Sequence, residues 1–282
     1  MKIWITAFYV ALGLCVGNSG SIASAQPKLI SDTAPQCVFG EQSRNIAVVW
    51  RNPGDAIVGA EINARLWQTS SATAVPLGET PWKKLTVLPG QTVVESAQLD
   101  FPVVKAETKF LVQWVESTNR IIGKTEVMVY PTNLLAELKP LAGGEPLGVF
   151  DPQNQLKPLL KNLKIDFADL ENMDFENFSG RLAILGPFQS KAQIREGLAN
   201  QVQPLASKGA AIVWLQPPPE KRDKLAPSFY SVLQNTNAVV IVQPELVADL
   251  PDSPQSQLNL IYFCKLALKP RPLTLPILIT QP

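Results

Sequence analysis

The chemistry open to this chain is bounded first by a residue it lacks: among 282 residues there is no histidine. A Ser-His-Asp or Cys-His arrangement is therefore impossible, as is any zinc site that needs imidazole, and three cysteines are too few for an all-thiolate one. Acid and base work falls to carboxylates, which in pairs can act as general acid and base or as the nucleophile and acid of a glycosidase. Asp166, Asp169, Glu171, Asp174 and Glu176 crowd one short stretch, and Asp151 follows an apolar run. The same five acids also fit a solvated loop between two strands, and they lack the ligand order and glycine of an EF-hand calcium loop. No residue is assigned a catalytic role, and no metal or cofactor is expected.

These acids need elements to position them, and Gly180 to Gln216 shows which. Leu182 to Leu185 is a continuous apolar run closed by Gly186-Pro187, the pattern of a strand covered on both faces. Ser190 can cap a helix whose Ile194, Leu198, Val202 and Leu205 form one stripe, and Gly209 can end it before a second buried strand, Ala210 to Leu215. Such a unit gives parallel strands with a right-handed crossover. Copies of it extend over 147–282: strand Leu147 to Phe150, helix Gln153 to Leu163, a short strand near Ile165 to Phe167, a loop or short helix around Ala226 to Leu233, strand Ala238 to Val242, and a last helix near Ser253 to Leu268. The expectation is a doubly wound α/β sheet, flavodoxin-like in its order 2-1-3-4-5. The proline-rich tail from Lys269 can add only an edge strand. In such a sheet a ligand sits at the carboxyl ends of the strands, which makes Asp151, Phe188, Gln189 and Gln216 the ligand candidates of this half. No G-x-G-x-x-G or Walker pattern supports a bound nucleotide.

Over 37–131 the period changes to two. Ala60, Ile62, Ala64 and Leu66 alternate with Glu61, Asn63, Arg65 and Trp67, and Phe110, Val112 and Trp114 alternate with Leu111, Gln113 and Val115. Turn signals fall at Asn52-Pro53-Gly54-Asp55, Pro89-Gly90 and Thr118-Asn119. About seven short strands without a helix predict an antiparallel, immunoglobulin-like β-sandwich. Trp114 belongs to its core, whereas Trp67 and Trp82, on the polar phase or near a turn, are candidates for stacking on a ligand. Residues 132–146, with Pro140 and Gly143-Gly144, read as the linker between the halves.

Met1 to Ala25 reads as a secretory signal: Lys2, the apolar run Ile3 to Val16, and Ala23-Ser24-Ala25 as the cleavage site. An uncleaved anchor is the alternative, although the run is short for a membrane span. The chain carries 25 basic and 24 acidic residues, and cleavage would remove Lys2 and no acid. A chain without net charge or basic runs has no electrostatic footprint for nucleic acid. Outside the signal, Cys37 and Cys264 fall in different halves; they could pair in an oxidising compartment, or Cys264 could be a buried free thiol.

The strand ending in Leu185-Gly186-Pro187 and the run Lys208 to Gln216 resemble the class I glutamine amidotransferase-like fold. The resemblance is closer to the non-catalytic versions attached to bacterial glycoside hydrolases of the family 2 and β-galactosidase kind. In those proteins a β-sandwich precedes the domain, and Leu85 to Gln91 with Phe110 to Val115 is similar to it. The resemblance implies a structural rather than a catalytic domain, because Gly186-Pro187-Phe188 stands where active members carry a G-x-C-x-G elbow, and no histidine follows. The sequence thus points to a secreted or periplasmic, non-catalytic interaction or accessory protein of the bacterial envelope, linked to polysaccharide handling, whose partner is an envelope protein or a glycan. The alternative is a carboxylate-dependent, glycosidase-like hydrolase using 166–176 or Asp151.

Overall fold

The two periods of the sequence become a sandwich around one core and a parallel sheet between two others. The computed structural model describes residues 27–30, 35–188, 202, 205, 208–215, 230–232, 238–241 and 245–269. In the first half eight strands follow one another: β1 (Lys28–Ile30), β2 (Gln36–Phe39), β3 (Ser43–Arg51), β4 (Val58–Thr69), β5 (Ala74–Val87), β6 (Thr92–Asp100), β7 (Thr108–Glu116) and β8 (Ile121–Tyr130). They form a three-stranded sheet, β1-β3-β6, and a five-stranded sheet, β2-β8-β7-β4-β5. The alternation puts Ile46, Val48 and Trp50 of β3 and Ala97 and Leu99 of β6 in one core with Ala60, Ile62 and Ala64 of β4 and Phe110, Val112 and Trp114 of β7. Two features depart from the sequence expectation. β1 lies before Cys37 and pairs with β3, and β2 runs parallel to β8, so the sandwich is not wholly antiparallel.

The turn at Asn52 shows how the sandwich closes. Its side chain is fully buried, donates from Nδ2 to the carbonyls of Ala56 at 2.7 Å and Val87 at 3.0 Å, and accepts from the Gly54 N–H at 3.0 Å. One asparagine thereby ties the loop between β3 and β4 to the end of β5 and gives the buried Val87 carbonyl a partner.

The second half opens with a 3-10 turn, Leu134–Glu137, and α1 (Leu138–Ala142), which ends at Gly143 with φ 74°. Then come β9 (Leu147–Phe150), α2 (Leu156–Asn162), β10 (Phe167–Asp169), a 3-10 turn at Phe175–Asn177, β11 (Leu182–Leu185), β12 (Ala211–Leu215), β13 (Tyr230–Val232), β14 (Ala238–Ile241), α3 (Glu245–Ala248) and α4 (Pro254–Leu268). Their order is β10-β9-β11-β12-β14-β13; the first five are parallel and give the expected 2-1-3-4-5. Part of the stretch read as a loop or short helix, Tyr230–Val232, is instead an antiparallel edge strand on β14. Ser253 caps α4, its Oγ accepting the Ser256 N–H at 3.2 Å.

Both faces of this sheet are covered. Leu182, Ile184, Ala211, Val213 and Leu215 face a core made with α2, α4 and the segment before β9; Ala183, Leu185, Ile212 and Trp214 face a second core with Leu170, Phe175, Phe178 and Phe188. Residues 132–146, read as a linker, place Leu135 and Leu138 fully buried in the first of these cores. Of the helix expected before β12, Val202 and Leu205 are buried and most other residues lie outside those described. Among the described residues no helix is long and apolar enough to cross a membrane.

Candidate functional site

The carboxyl ends of β9 and β10 bring together part of the acidic stretch and a lysine that the sequence reading did not single out. Asp151, directly after β9, is buried; its carboxylate accepts the N–H groups of Gln155 at 3.2 Å, Leu156 at 2.8 Å and Lys157 at 2.9 Å, so it caps α2 from four to six residues upstream. From the first turns of α2, Lys157 Nζ reaches Asp169 Oδ1 at 2.8 Å and Glu171 Oε1 at 2.6 Å. Glu171 Oε1 also accepts the Asp151 N–H at 2.7 Å, and Asp169 accepts from the Glu171 N–H and from Asn172. The loops after β9 and β10 are thus clasped around one ammonium. The rest of the acidic stretch does not join them: Asp166 is exposed at the amino end of β10, and Asp174 and Glu176 are exposed beyond the cluster.

The electrostatics follow the geometry. Burial alone would raise the Asp169 carboxyl, but hydrogen bonds from Lys157 and the Glu171 N–H, and the ammonium's charge, outweigh it and hold the group below its ordinary value. Burial likewise works against charge on Lys157, and its two carboxylate partners overcome this and raise it. A general acid at neutral pH needs a carboxyl moved the other way, and a lysine nucleophile needs a lowered amine. The ammonium also occupies the space between the two carboxylates where a glycosidic bond or a water would have to sit.

The loop after β11 is closed by aromatic packing. Gly186 has φ 106°, and a Cβ there would lie 2.6 Å from the Leu215 carbonyl oxygen, so the chain needs glycine to turn against β12. Phe188 is 1% exposed, its ring 6.0 Å from Phe150 and 6.1 Å from Trp214. It is a core residue, not an exposed ligand contact. Gln189 and Gln216 lie outside the described residues.

In the sandwich the two tryptophan candidates part. Trp82 is the extra residue of a bulge: Ile62 pairs with Lys83 and Asn63 with Pro81. The bulge turns its indole toward the core, 6.4 Å from Trp50 and 5.0 Å from Trp114, so the half-buried ring packs against the sandwich core instead of standing free as the expected ligand face. Trp67 stays on the outer face of the five-stranded sheet, half-buried, its Nε1 donating to Gln113 Oε1 at 3.0 Å.

Among the described residues Cys37 and Cys264 are both free thiols. Cys264 is fully buried on α4, and burial pushes it up to about 12. Cys37 Sγ lies 3.8 Å from Gln255 Oε1, at the start of α4, and its thiol is raised chiefly by burial, against a hydrogen bond from Tyr130. Nine residues of helix separate Gln255 from Cys264, a rise of about 13 Å, so a bridge between the cysteines has no geometry to form in this fold. Among the described residues, no three ligating side chains assemble to hold a metal ion.

No protein-family model matches this chain, and no curated protein does. Solved structures similar in part include the alkylpurine DNA glycosylase AlkC of Pseudomonas fluorescens bound to abasic-site DNA, at 12% identity and TM-score 0.29 over 38% of this chain and 31% of that one. A β-glucosidase of Listeria innocua in complex with glucose shows 15% identity and TM-score 0.29 over 38% and 16%. The sporulation control protein Spo0M of Bacillus subtilis shows 12% identity and TM-score 0.29 over 43% and 57%. The chain thus spans under a third of the first two, and likeness at this level carries no argument about function.

Proposed function

We propose that this is a secreted, non-catalytic accessory protein of the bacterial envelope, linked to polysaccharide handling, which works by binding an envelope protein or glycan. In this reading an immunoglobulin-like sandwich carries a flavodoxin-like domain of the glutamine amidotransferase-like kind, and residues 1–25 are removed on export. The observation that carries the proposal is the clasp at the carboxyl ends of the parallel strands. At the carboxyl ends of the first two strands, beside the switch point between β9 and β11 where a doubly wound sheet places its chemistry, Asp151 caps a helix and Lys157 is held between Asp169 and Glu171. These groups hold the loops in place rather than facing a substrate. The absence of histidine from the sequence supports the same reading.

The test uses the chain without residues 1–25, presented to immobilised envelope polysaccharides and to a panel of chromogenic glycosides. Retention without turnover is the expected result. Turnover that disappears in Asp169→Asn or Asp151→Asn would replace the proposal by the hydrolase.

A further inference from the structure

Going beyond the accessory role but resting on its reading of residues 1–25 as an export leader, we infer that one end of the sandwich docks on an anionic lipid surface. It is the end where the loop from β3 to β4, 52–57, and the turn from β5 to β6, 88–91, cross between the two sheets. Val58 and Val87 are the pair that ends the ladder of β4 and β5, and beyond them stand Ile57 and Leu88, 64% and 50% exposed. Single exposed aliphatics are ordinary. Two on adjoining loops of one end, with exposed Pro53 and Pro89 beside them, form an apolar tip.

The backbone of the tip is prepared to leave water. The N–H groups of Asn52, Gly54, Leu88, Gly90 and Gln91 all donate within the two loops, at 2.9 to 3.0 Å, and Pro53 and Pro89 have none. A lipid interface offers few partners to a backbone donor, so loops already bonded internally enter it at little cost. The buried Asn52 side chain braces the tip, so little loop entropy is lost on docking.

Charge selects the surface. Lys28 stands directly opposite Arg51 at the same end, both are exposed, and among the described residues no acid is bonded to either. Like charges facing each other across antiparallel strands repel, and an anionic surface relieves that repulsion. Asp55 is the one acid on the two loops. Glu116 is bonded to Arg120 at 2.7 Å and Glu61 faces Lys84, so neither pair reverses the sign. The chain's path fixes which way the end faces. β1 begins there, so residues 1–26, with the apolar run Ile3 to Val16, join the fold at the end that a leader keeps nearest the bilayer during export. The second half attaches at the opposite end, past Tyr130 and beside Cys37 and Arg44, and leaves the tip clear.

The experiment is cosedimentation of the chain lacking residues 1–25 with vesicles of phosphatidylcholine alone and of equal parts phosphatidylcholine and phosphatidylglycerol. Binding to the mixed vesicles is expected, falling as salt rises. Ile57→Ser with Leu88→Ser should weaken it about tenfold or more, Arg51→Gln about fivefold, and Asp55→Asn should tighten it. Val75→Ser with Leu77→Ser, which removes exposed aliphatics from the other end of β5, should bind as the parent does. All these positions are exposed, so the melting temperature should hold in every variant. The inference falls if the mixed vesicles are ignored at low salt, if the Ile57 and Leu88 variant binds as the parent does, or if phosphatidylcholine alone is bound equally well. Self-association through the tip without vesicle binding also overturns it, and the accessory role then stands. A chain found inside the cell on fractionation, with residues 1–25 intact, overturns the export on which both rest.

Discussion

At the residue scale the informative group is Lys157, because it turns two possible catalytic carboxylates into structure. Its side chain is only 11% exposed and those of Asp169 and Glu171 about a third, so the cluster lies between a surface pair and a buried one. Replacing Lys157 with Met leaves two carboxylates facing each other and should cost about 1–2 kcal/mol at neutral pH, read as a lower denaturant midpoint. The dependence on pH has a definite sign. Asp169 is held below its ordinary value, so its contribution is present above about pH 4 and is lost as the pH falls through the folded value. The gap between parent and Lys157→Met should therefore narrow on acidification below about pH 4, where a purely steric defect would leave it constant. Cys264 acts at the other end. Its thiol is raised to about 12, so the stability it contributes is complete below the ordinary thiol range near 8.5 and is lost as the pH climbs toward 12. A thiol reagent at pH 8 should modify the half-exposed Cys37 slowly and Cys264 only after denaturant is added, and the difference is one thiol per chain.

At the element scale the molecule separates what a single sequence can show from what only pairing shows. Strands covered on both faces, Leu147–Phe150 and Leu182–Leu185, have the bounds their apolar runs predict, because burial on two sides leaves no polar phase to blur them. The last helix lies where the sequence placed it, near Ser253 to Leu268, and the structure adds why it starts there: the Ser253 cap and Pro254 in its first turn. Tyr230–Val232 was not, since three residues on an edge offer no period to count. Trp82 was misplaced for a related reason. Its phase is set by a bulge against β4, a property of two strands together that the alternation of one cannot reveal. At the candidate site the acids were legible as a cluster, but Lys157, 12 and 14 residues from its partners, was not. The inward position of Trp82 carries its own prediction: Trp82→Ala should open a void beside Trp50 and Trp114 and cost about 3 kcal/mol, read by thermal melting, whereas Trp67→Ala should cost well under half as much.

At the scale of the whole molecule the question is which half owns residues 132–146. Their prolines and glycines mark a linker, yet Leu135 and Leu138 are fully buried with Leu260, Phe263 and Cys264 of α4, and Lys265 of α4 donates to Glu137 at 2.8 Å. The contacts from the sandwich to α4 and the turn before it are thinner. Cys37 approaches Gln255, and Arg44 stands 4.0 Å from an exposed Asp252, a pair worth about 1 kcal/mol at most. The fold therefore divides before Leu134 rather than after Pro146. A chain beginning at Thr132 should fold alone, with the dispersed amide spectrum of a packed α/β unit, because it keeps both leucines. One beginning at Leu147 loses two core side chains, each worth about 2–5 kcal/mol, against a total stability of about 5–15 kcal/mol for a domain, and should collapse without fixed packing. If the shorter chain melts as cooperatively as the longer one, the 3-10 turn and α1 are only a tether, and the first core of the parallel sheet closes without them.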